Sequence, residues 1–345
     1  TNESAIVMNI NEAIKAVISR QNLNESEMHD VMSSIMTGQT TDAQIGAFLV
    51  GLSMKGETIE EITASAKVMR ALATSVKLSS DEFLVDTCGT GGDGLGLFNI
   101  STASAFVVAA AGGKVAKHGN RSISSKSGSA DVLEAAGINL SLNPELISQC
   151  IEEIGVGFMF APAHHSAMKH AIGPRKELAI RTIFNVLGPL TNPAKAPNQI
   201  MGVFDKNLVE PIANVLKGLN SRHVMVVHSE DGLDEFSIAN KTYVAELKDN
   251  KISTYTVHPH DFGLEEGSLD SIQAENAEQS LALIHEAFSG KQGVARDIIA
   301  LNAGAAIYVS GLVNSLEEGI TKANQTLSDG SAQDKLDAYI HASNK

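Results

Sequence analysis

The segment best suited to chemistry is a glycine-rich run, in which five of the eight residues from Gly89 to Gly96 are glycine. It follows a short apolar stretch, residues 83–85, and precedes a helical pattern that begins near Ser101 and Thr102. Glycine lets backbone N–H groups approach an anion without an intervening side chain, and a helix N-terminus adds unpaired donors. We therefore expect a sugar-phosphate site here. An ordinary tight connection is the simpler alternative, although such connections are normally shorter.

Two known phosphate-binding patterns compete for this run. Gly89, Gly91 and Gly94 match the G-x-G-x-x-G spacing of dinucleotide-binding folds. That pattern requires an acidic residue about twenty positions later, at the end of the next strand. Lys117 and His118 occupy that place, so NAD is disfavoured and NADP less firmly so. A P-loop is excluded because no Gly-Lys-Ser/Thr sequence follows the glycines.

A basic stretch follows the glycine-rich run. No Asp or Glu lies between Asp93 and Asp131, in a chain whose net charge is -14. The stretch contains several serines together with Lys114, Lys117, His118, Arg121 and Lys126. Cations, hydroxyls and amides together favour a cradle for several phosphates, so we expect a ligand with phosphates at two ends. A solvated surface loop is the alternative.

An acidic pair, Asp234 and Glu235, follows an apolar stretch at residues 224–227 and a turn. Mg²⁺ prefers oxygen ligands and often bridges one or two carboxylates to substrate phosphates. The pair is therefore a candidate Mg²⁺ site if the fold brings it to the glycine-rich run. Without that proximity, it is a solvated surface turn.

Composition narrows the class of protein. With 345 residues and 43% hydrophobic content, the chain can bury a large core, and its length predicts two domains, or one large domain with an appendage. The net charge of -14 argues against binding to nucleic acid or anionic membranes. Two cysteines, and a first twenty residues without an apolar core, predict a cytoplasmic protein without a secretory signal. The longest apolar run, around residues 103–111, is too short to span a bilayer.

Hydrophobic spacing predicts which elements position these residues. Residues 1–75 contain only helical patterns, and residues 164–190 look helical again. Between and after them, helices alternate with short apolar strands, expected at residues 83–85, 114–117, 138–140, 158–160, 200–204, 224–227, 243–247 and 252–257. From residue 274 onward the chain reads mostly as helix. We expect an α/β protein: a small all-helical domain (1–75 with 164–190) and a large α/β domain (76–163 with 191–345) with a central, mostly parallel sheet.

Taken together, these motifs resemble the anthranilate phosphoribosyltransferase family, and the resemblance covers nearly the whole chain. The matching segments are residues 86–93 (DTCGTGGD), 99–102 (NIST), 117–121 (KHGNR), 126–134 (KSGSADVLE), 175–176 (RK), 185–193 (NVLGPLTNP) and 234–235 (DE). The family transfers the phosphoribosyl group of 5-phosphoribosyl-1-pyrophosphate (PRPP) to the amine of anthranilate. Its fold is similar to that of the nucleoside phosphorylases, and it is usually a homodimer.

The resemblance implies a role for individual residues. PRPP would be held by Gly89, Gly92, Asp93, Asn99, Ile100, Ser101, Thr102, Lys117, His118, Gly119, Asn120, Arg121, Ser122, Ile123, Ser124, Ser125 and Ser129. Anthranilate would be held by Gly89, Asn120 and Arg175, with His118 and His165 lining its route. One or two Mg²⁺ ions would be held by Ser101, Asp234 and Glu235.

The implied chemistry needs no catalytic acid or base, because the amine of anthranilate is already a nucleophile. Lys117, the loop amides and Mg²⁺ would stabilise the departing pyrophosphate electrostatically. His118 as a base is the less favoured option. Leu97 departs from the family, which usually has Thr or Ser there, so weaker PRPP binding or a compensating backbone contact is expected. A pyrimidine nucleoside phosphorylase of the same fold and a non-catalytic relative that binds nucleic acid are alternatives, with an NADP dehydrogenase as a distant third.

Overall fold

The computed structural model describes residues 7–122 and 126–345. It begins with four helices: α1 (Ile10–Ile18), α2 (Glu25–Met36), α3 (Asp42–Lys55) and α4 (Ile59–Leu72). The side chain of Thr58 accepts from the backbone N–H of Glu61, whose side chain accepts from Thr58 in return. This capping box supplies partners for helical N–H groups that would otherwise lack them. The prediction of helices in this part of the chain is confirmed.

Strands and helices then alternate. The elements up to the last strand are β1 (Leu84–Gly89), α5 (Ile100–Ala110), β2 (Lys114–Gly119), α6 (Ser129–Ala135), α7 (Pro144–Glu153), β3 (Val156–Phe160), α8 (Ala161–His164), α9 (Lys169–Leu178), α10 (Phe184–Leu187), β4 (Asn198–Gly202), α11 (Val209–Gly218), β5 (His223–Ser229), β6 (Thr242–Lys248) and β7 (Lys251–Val257). Four helices end the chain: α12 (Ala277–Phe288), α13 (Val294–Ser310), α14 (Leu316–Ser328) and α15 (Ser331–Ser343). Among the described helices, none combines the length and apolar character needed to cross a bilayer.

The seven strands form one sheet in the order β3-β2-β1-β4-β5-β6-β7. The first five are parallel, and β6 and β7 run antiparallel at one edge. The expectation of a central, mostly parallel sheet is confirmed. Parallel strands place all their carboxyl ends at one edge, where ligands of open α/β sheets bind.

Both faces of the sheet are covered. Along β5, Met225 and Val227 belong to the core formed with α5 and α13, whereas Val224 and Val226 face the core formed with α11 and the N-terminal helices. This alternation follows from the two-residue period of a strand. Helix α5 lies inside the core that it shares with α13, and its residues 102–109 are all buried.

One local prediction was wrong. Residues 138–140 form no strand, because Gly137 (φ +97°) ends α6 and the N–H of Ile138 bonds back to the carbonyl of Leu133. Residues 164–190 are largely helical, as expected, and Pro174 lies inside α9. A proline is tolerated less well there than in a first helical turn, and α9 extends only four residues beyond it.

Candidate functional site

The site is built where three parallel strands end in glycine: β1 at Gly89, β2 at Gly119 and β4 at Gly202. Gly89 is paired with Gly202 across the sheet, and Asp234 crosses above both. A Cβ atom on Gly89 would lie 2.4 Å from Asp234 Oδ2, and one on Gly202 would lie 1.5 Å from the backbone oxygen of Asp234. Only glycine therefore leaves room for the acidic segment at this edge.

Three carboxylates gather at this point. Asp234 Oδ2 accepts a hydrogen bond from the backbone N–H of Gly91 (2.9 Å), and the carboxyl group of Asp93 lies close to that of Asp234. Burial, together with the charge of Asp93, raises the pKa of Asp234 to about 7. Burial likewise raises the pKa of Glu235, and its Oε2 atom has no hydrogen-bond partner among the described residues. A buried excess of negative charge is costly unless a cation offsets it, so the cluster suits a divalent ion.

Lys117 supplies a positive charge beneath this cluster. Its side chain is buried, and Nζ donates to the carbonyl oxygen of Thr87 and, at 3.4 Å, to Ser101 Oγ. Its charge lowers the pKa of Asp86 and of Glu235, although burial dominates for both carboxyls. The predicted electrostatic residue thus contacts the predicted metal-binding hydroxyl.

The N-terminus of α5 faces the same region. Asn99, its N-cap residue, makes no side-chain cap, so its side chain does not bond to the N–H groups of the first helical turn. The N–H of Ile100 donates to the carbonyl oxygen of Phe98 (2.9 Å). Instead, Asn99 Oδ1 accepts from the hydroxyls of Ser127 (2.9 Å) and Ser280 (2.7 Å). The Thr102 hydroxyl is buried without a partner among the described residues, and the Ile100 side chain lies in the core. Neither the buried Ile100 side chain nor its N–H, which is bonded to Phe98, is therefore free for a ligand.

The basic stretch does not form one continuous patch. Lys114 begins β2 and therefore lies at the amino end of the strand, whereas Gly119 lies at its carboxyl end. Arg121 is held by Glu134, with Nη1–Oε1 and Nη2–Oε2 distances of 3.0 and 2.8 Å, so a carboxylate just outside the acid-free stretch offsets its charge. Lys126 reaches the glycine-rich loop, where a Cβ on Gly96 would lie 2.0 Å from Nζ.

Close backbone contacts shape the serine-rich loop that follows β2. Asp131 Oδ2 accepts from the N–H groups of Ser122 (2.9 Å) and Gly128 (2.8 Å). A Cβ on Gly119 would lie 2.0 Å from Ser129 Oγ, so these two predicted PRPP residues are in contact. The predicted residues Ile123, Ser124 and Ser125 lie outside the described residues.

A cleft of about 450 Å³ opens beside Gly89. It is lined by all five residues predicted to meet anthranilate, namely Gly89, His118, Asn120, His165 and Arg175. Its volume lies within the usual range for a small-molecule site. The fold thus brings these five residues, which are distant in sequence, into one cleft.

Two neutral imidazoles form one wall of the cleft. The rings of His118 and His165 lie 5.0 Å apart, with 58° between their planes. Burial lowers the pKa of His118 to about 3 and that of His165 to about 4. Neighbouring histidines reinforce the effect, His165 and His164 acting on His118 and His164 on His165. Neither Nε2 atom has a hydrogen-bond partner among the described residues. At neutral pH both rings therefore present an uncharged surface to the cleft.

Arg175 contributes the cationic group of the cleft. Its guanidinium lies over the ring of Phe184, 5.4 Å from the centroid, and burial lowers its pKa. Within the described ranges, 7–122 and 126–345, it forms no ion pair with a carboxylate. A planar fork of donors on an apolar ring is well suited to bind a carboxylate in two-point fashion.

Sequence reasoning missed Arg181. Its guanidinium donates to the carbonyl oxygen of Gly92 and stacks 4.0 Å from the centroid of the Phe204 ring. No spacing signal in the sequence relates these three residues, because they come from three separate segments. Only the fold brings them to the glycine-rich loop.

A glycine-rich loop and a buried acidic cluster at the carboxyl edge of a parallel sheet, beside a helical bundle, define a class of glycosyltransferases. The family model for the α/β domain of a glycosyl transferase family matches residues 81–333, and the model for its helical bundle domain matches residues 11–73.

Individual relatives refine this class. The chain is 66% identical to an anthranilate phosphoribosyltransferase of Ruthia magnifica subsp. Calyptogena magnifica, over 97% of this chain and 99% of that protein. It superimposes on the Thermus thermophilus enzyme of that name with a TM-score of 0.92 and 40% identity, covering 96% of this chain and 99% of the other. The Saccharomyces cerevisiae enzyme in complex with PRPP and Mg gives a TM-score of 0.88 at 28% identity, with 97% and 98% covered. The chain belongs to the anthranilate phosphoribosyltransferase family.

Proposed function

We propose that this protein transfers the phosphoribosyl group of PRPP to the amine of anthranilate, in a reaction that depends on Mg²⁺. The C1–O bond to pyrophosphate breaks, a C1–N bond forms, and the amine loses a proton to solvent. The observation that carries the proposal is the position of Gly89, with the buried acids Asp234 and Glu235 on one side and the cleft of Arg175 on the other. A phosphate-bearing substrate and an aromatic acid can thus meet at one strand end.

The donor atoms around Glu235 fit Mg²⁺. The candidate ligands, Ser101, Asp234 and Glu235, offer only oxygen, which is the ligand this ion prefers, and their buried negative charge calls for a cation. One or two bound ions would neutralise the charge that develops on pyrophosphate. The Saccharomyces cerevisiae structures of the same family that contain Mg support this assignment.

The PRPP phosphates would be held by backbone donors more than by side-chain cations. The N–H groups of Ser101 and Thr102 at the start of α5 would face the ligand, since Asn99 makes no side-chain cap. The loop from Gly89 to Asp93 would add the N–H groups that remain after those of Thr90 and Gly91 have bonded to Gly202 and Asp234. Lys117 would hold Ser101 and offset the charge of the acidic cluster from below. Electrostatic stabilisation by groups already in place requires no reorganisation during the reaction.

Anthranilate would enter the cleft with its carboxylate on Arg175 and its ring against the neutral faces of His118 and His165. A pKa of about 3 makes His118 a poor proton acceptor at neutral pH, because base strength falls with pKa. The two histidines would therefore orient the substrate, and rate enhancement would come from positioning and electrostatics. A Saccharomyces cerevisiae structure with 4-fluoroanthranilate supports an aromatic acid as ligand.

Two bodies would close on the substrates: residues 1–75 with 164–190, and residues 76–163 with 191–345. Arg175 lies in the first body and Gly89 in the second. Movement between them would open and close the cleft. A cytoplasmic location fits the two free cysteines, Cys88 and Cys150.

A homodimer is also part of the proposal. Ile18 and Met54 are 68% and 69% exposed on the contacting helices α1 and α3. Large apolar side chains in this position suit an interface between identical subunits.

Mixing the protein with anthranilate, PRPP and Mg²⁺ tests the proposal through loss of anthranilate fluorescence. We expect turnover that stops with a chelator and that falls sharply in Asp234→Asn. No loss of fluorescence at high protein concentration would refute the proposal. Metal-independent phosphorolysis of thymidine or uridine would instead favour a nucleoside phosphorylase, and tight, salt-sensitive binding of single-stranded DNA would favour a nucleic-acid-binding relative.

A further inference from the structure

A second group of potential metal ligands lies after the edge strand β7, outside the cleft and the acidic cluster. One ligand atom from each of His258, His260 and Glu266 comes within 4.8 Å of the other two. The two imidazole rings are 4.6 Å apart, with 32° between their planes. His258 Nδ1 is 4.0 Å from Glu266 Oε1, which is too long for a hydrogen bond.

The backbone fixes the positions of these three residues. The turn Pro259–Phe262 is capped by Asp261, whose Oδ2 accepts from the N–H of His258 at 2.8 Å. Gly263, at φ +72°, reverses the chain toward Glu266. The N–H of Gly267 then bonds to the carbonyl of Ile238 (3.1 Å), which holds this loop against the body of the protein.

One nitrogen in the group lacks a partner. His258 Nδ1 is shielded from solvent, and across residues 7–122 and 126–345 it accepts or donates no hydrogen bond. A buried polar atom without a partner is costly. The distance from His258 Nδ1 to Glu266 Oε1 is about 1 Å longer than a hydrogen bond. A cation placed between the imidazole and the carboxylate would satisfy both groups.

We propose that His258, His260 and Glu266 form a Zn²⁺ site, with water as the fourth ligand. Two imidazole nitrogens and one carboxylate oxygen are a ligand set that Zn²⁺ takes readily. Zinc–ligand bonds of about 2.1 Å place tetrahedral ligand atoms about 3.4 Å apart, so the three groups must close slightly around the ion. His260 and Glu266 have side chains 66% and 57% exposed and can rotate to do so.

The bound ion would join the end of β7 to the loop that carries Glu266. Because Zn²⁺ would bind the folded chain better than the unfolded chain, it would stabilise the protein. Mg²⁺ prefers oxygen ligands, so it would not compete at this nitrogen-containing site. Zn²⁺ binding at this site would therefore be independent of the proposed transferase activity.

The test measures Zn²⁺ bound per chain at micromolar free Zn²⁺, with millimolar Mg²⁺ present to occupy oxygen sites. A colorimetric zinc chelator reports the free ion. We expect His260→Ala and Glu266→Gln each to bind one Zn²⁺ fewer than the original chain, and to lose the rise in melting temperature caused by Zn²⁺. His29→Ala removes an exposed histidine on α2 and should match the original chain.

His260→Ala and Glu266→Gln both change exposed side chains, so folding and turnover in zinc-free buffer should be preserved. Zinc bound elsewhere, for instance near His118, would appear equally in all four proteins and cancels in the comparison. Equal Zn²⁺ binding by the original chain, His260→Ala and Glu266→Gln would overturn the proposal.

Discussion

Arg181 donates a hydrogen bond from Nη2 to the carbonyl oxygen of Gly92, joining residues 89 positions apart. Gly92 has a φ of +78°, and a Cβ there would lie 3.0 Å from the same nitrogen. The guanidinium is held flat by the Phe204 ring. The segment that follows α9 therefore fixes one conformation of the loop in which the PRPP phosphates are expected to bind.

Substituting Arg181 tests this link. Arg181→Gln should raise the KM for PRPP about tenfold, which is about 1.4 kcal/mol, and change the KM for anthranilate less. Arg181→Lys should have a KM for PRPP nearly as high as that of Arg181→Gln, because an ammonium group cannot stack on a ring or donate from a planar fork as a guanidinium does. Steady-state kinetics with each substrate varied would measure both constants. Lys217→Gln, a change at an exposed residue on α11, is the control. If Arg181→Gln and Lys217→Gln changed the KM for PRPP equally, Arg181 would not position the loop for PRPP.

Arg175 should act on the other substrate. Arg175→Ala should raise the KM for anthranilate at least about tenfold while the KM for PRPP changes little, since a carboxylate would lose a two-point, charge-assisted partner. The KM of Arg175→Lys for anthranilate should lie between those of the original chain and Arg175→Ala. Lys176→Ala, exposed on the same helix, controls for a general loss of positive charge. Equal increases for both substrates would show that Arg175 does not bind the carboxylate.

Leu97 sits where the family usually has a hydroxyl, and the structure shows what it does instead. Its side chain packs against the main core, and it forms an isolated bridge with Gln273. The flanking Gly96 carbonyl accepts from the N–H of Ala274 (2.9 Å). Backbone pairing therefore positions this end of the loop.

Replacing Leu97 with threonine should lower the KM for PRPP several-fold by adding a donor, and lower the unfolding free energy by about 1 kcal/mol through lost packing. Valine has nearly the shape of threonine without the hydroxyl, so Leu97→Val separates the two effects. Kinetics and urea denaturation of both variants would decide. A KM that is the same in the threonine and valine variants would exclude a contact between this hydroxyl and the substrate.

The sequence was most informative where chemistry depends on short-range spacing. Five glycines within eight residues indicated an anion site, and hydrophobic spacing indicated that residues 1–75 are helical. Strand periodicity correctly gave the strands of the sheet apart from residues 138–140. There, a positive-φ glycine and a short loop prevailed over the apolar pattern.

Charge in sequence was a poorer guide, because it does not show which residues pair in space. The acid-free stretch suggested that Arg121 was an available cation, but Glu134 binds it in the folded protein. Arg181 gave no signal because its partners, Gly92 and Phe204, are distant in sequence. The approach of Asp234 to Gly89 and Gly202 likewise depends on the order of strands in the sheet.

The glycines below Asp234 give a stability test. Gly202→Ala would push a Cβ into the backbone of Asp234, so we expect it to lower the unfolding free energy by about 1–3 kcal/mol and to abolish most activity. Gly46→Ala is the matched control, because it lies in α3 with nothing within 4 Å of its added Cβ. That change should stabilise the protein by about 0.5–1 kcal/mol. Urea denaturation would measure both, and a harmless Gly202→Ala would contradict the close packing.

Acid should destabilise the protein through its buried imidazoles. The pKa of His118 is lowered to about 3 and that of His165 to about 4, whereas in the unfolded chain both should be near the ordinary value of about 6.5. As pH falls below about 6.5, the unfolded chain binds protons that the folded chain does not, so the unfolding free energy falls. This loss continues to about pH 4 for His165 and to about pH 3 for His118. Removing one such imidazole should reduce this dependence.

We therefore expect the unfolding free energy of His165→Gln to fall less between pH 7 and pH 4 than that of the original chain, by at least about 1 kcal/mol. Urea denaturation at each pH, with chelator present, would measure the difference. The raised pKa of Asp234 acts in the opposite direction, but it is present in both proteins and so largely cancels. His29→Gln changes an exposed ring and should leave the pH dependence unaltered. If His165→Gln follows the original chain at every pH, then this imidazole takes up its proton without unfolding, and the cleft tolerates a charged ring.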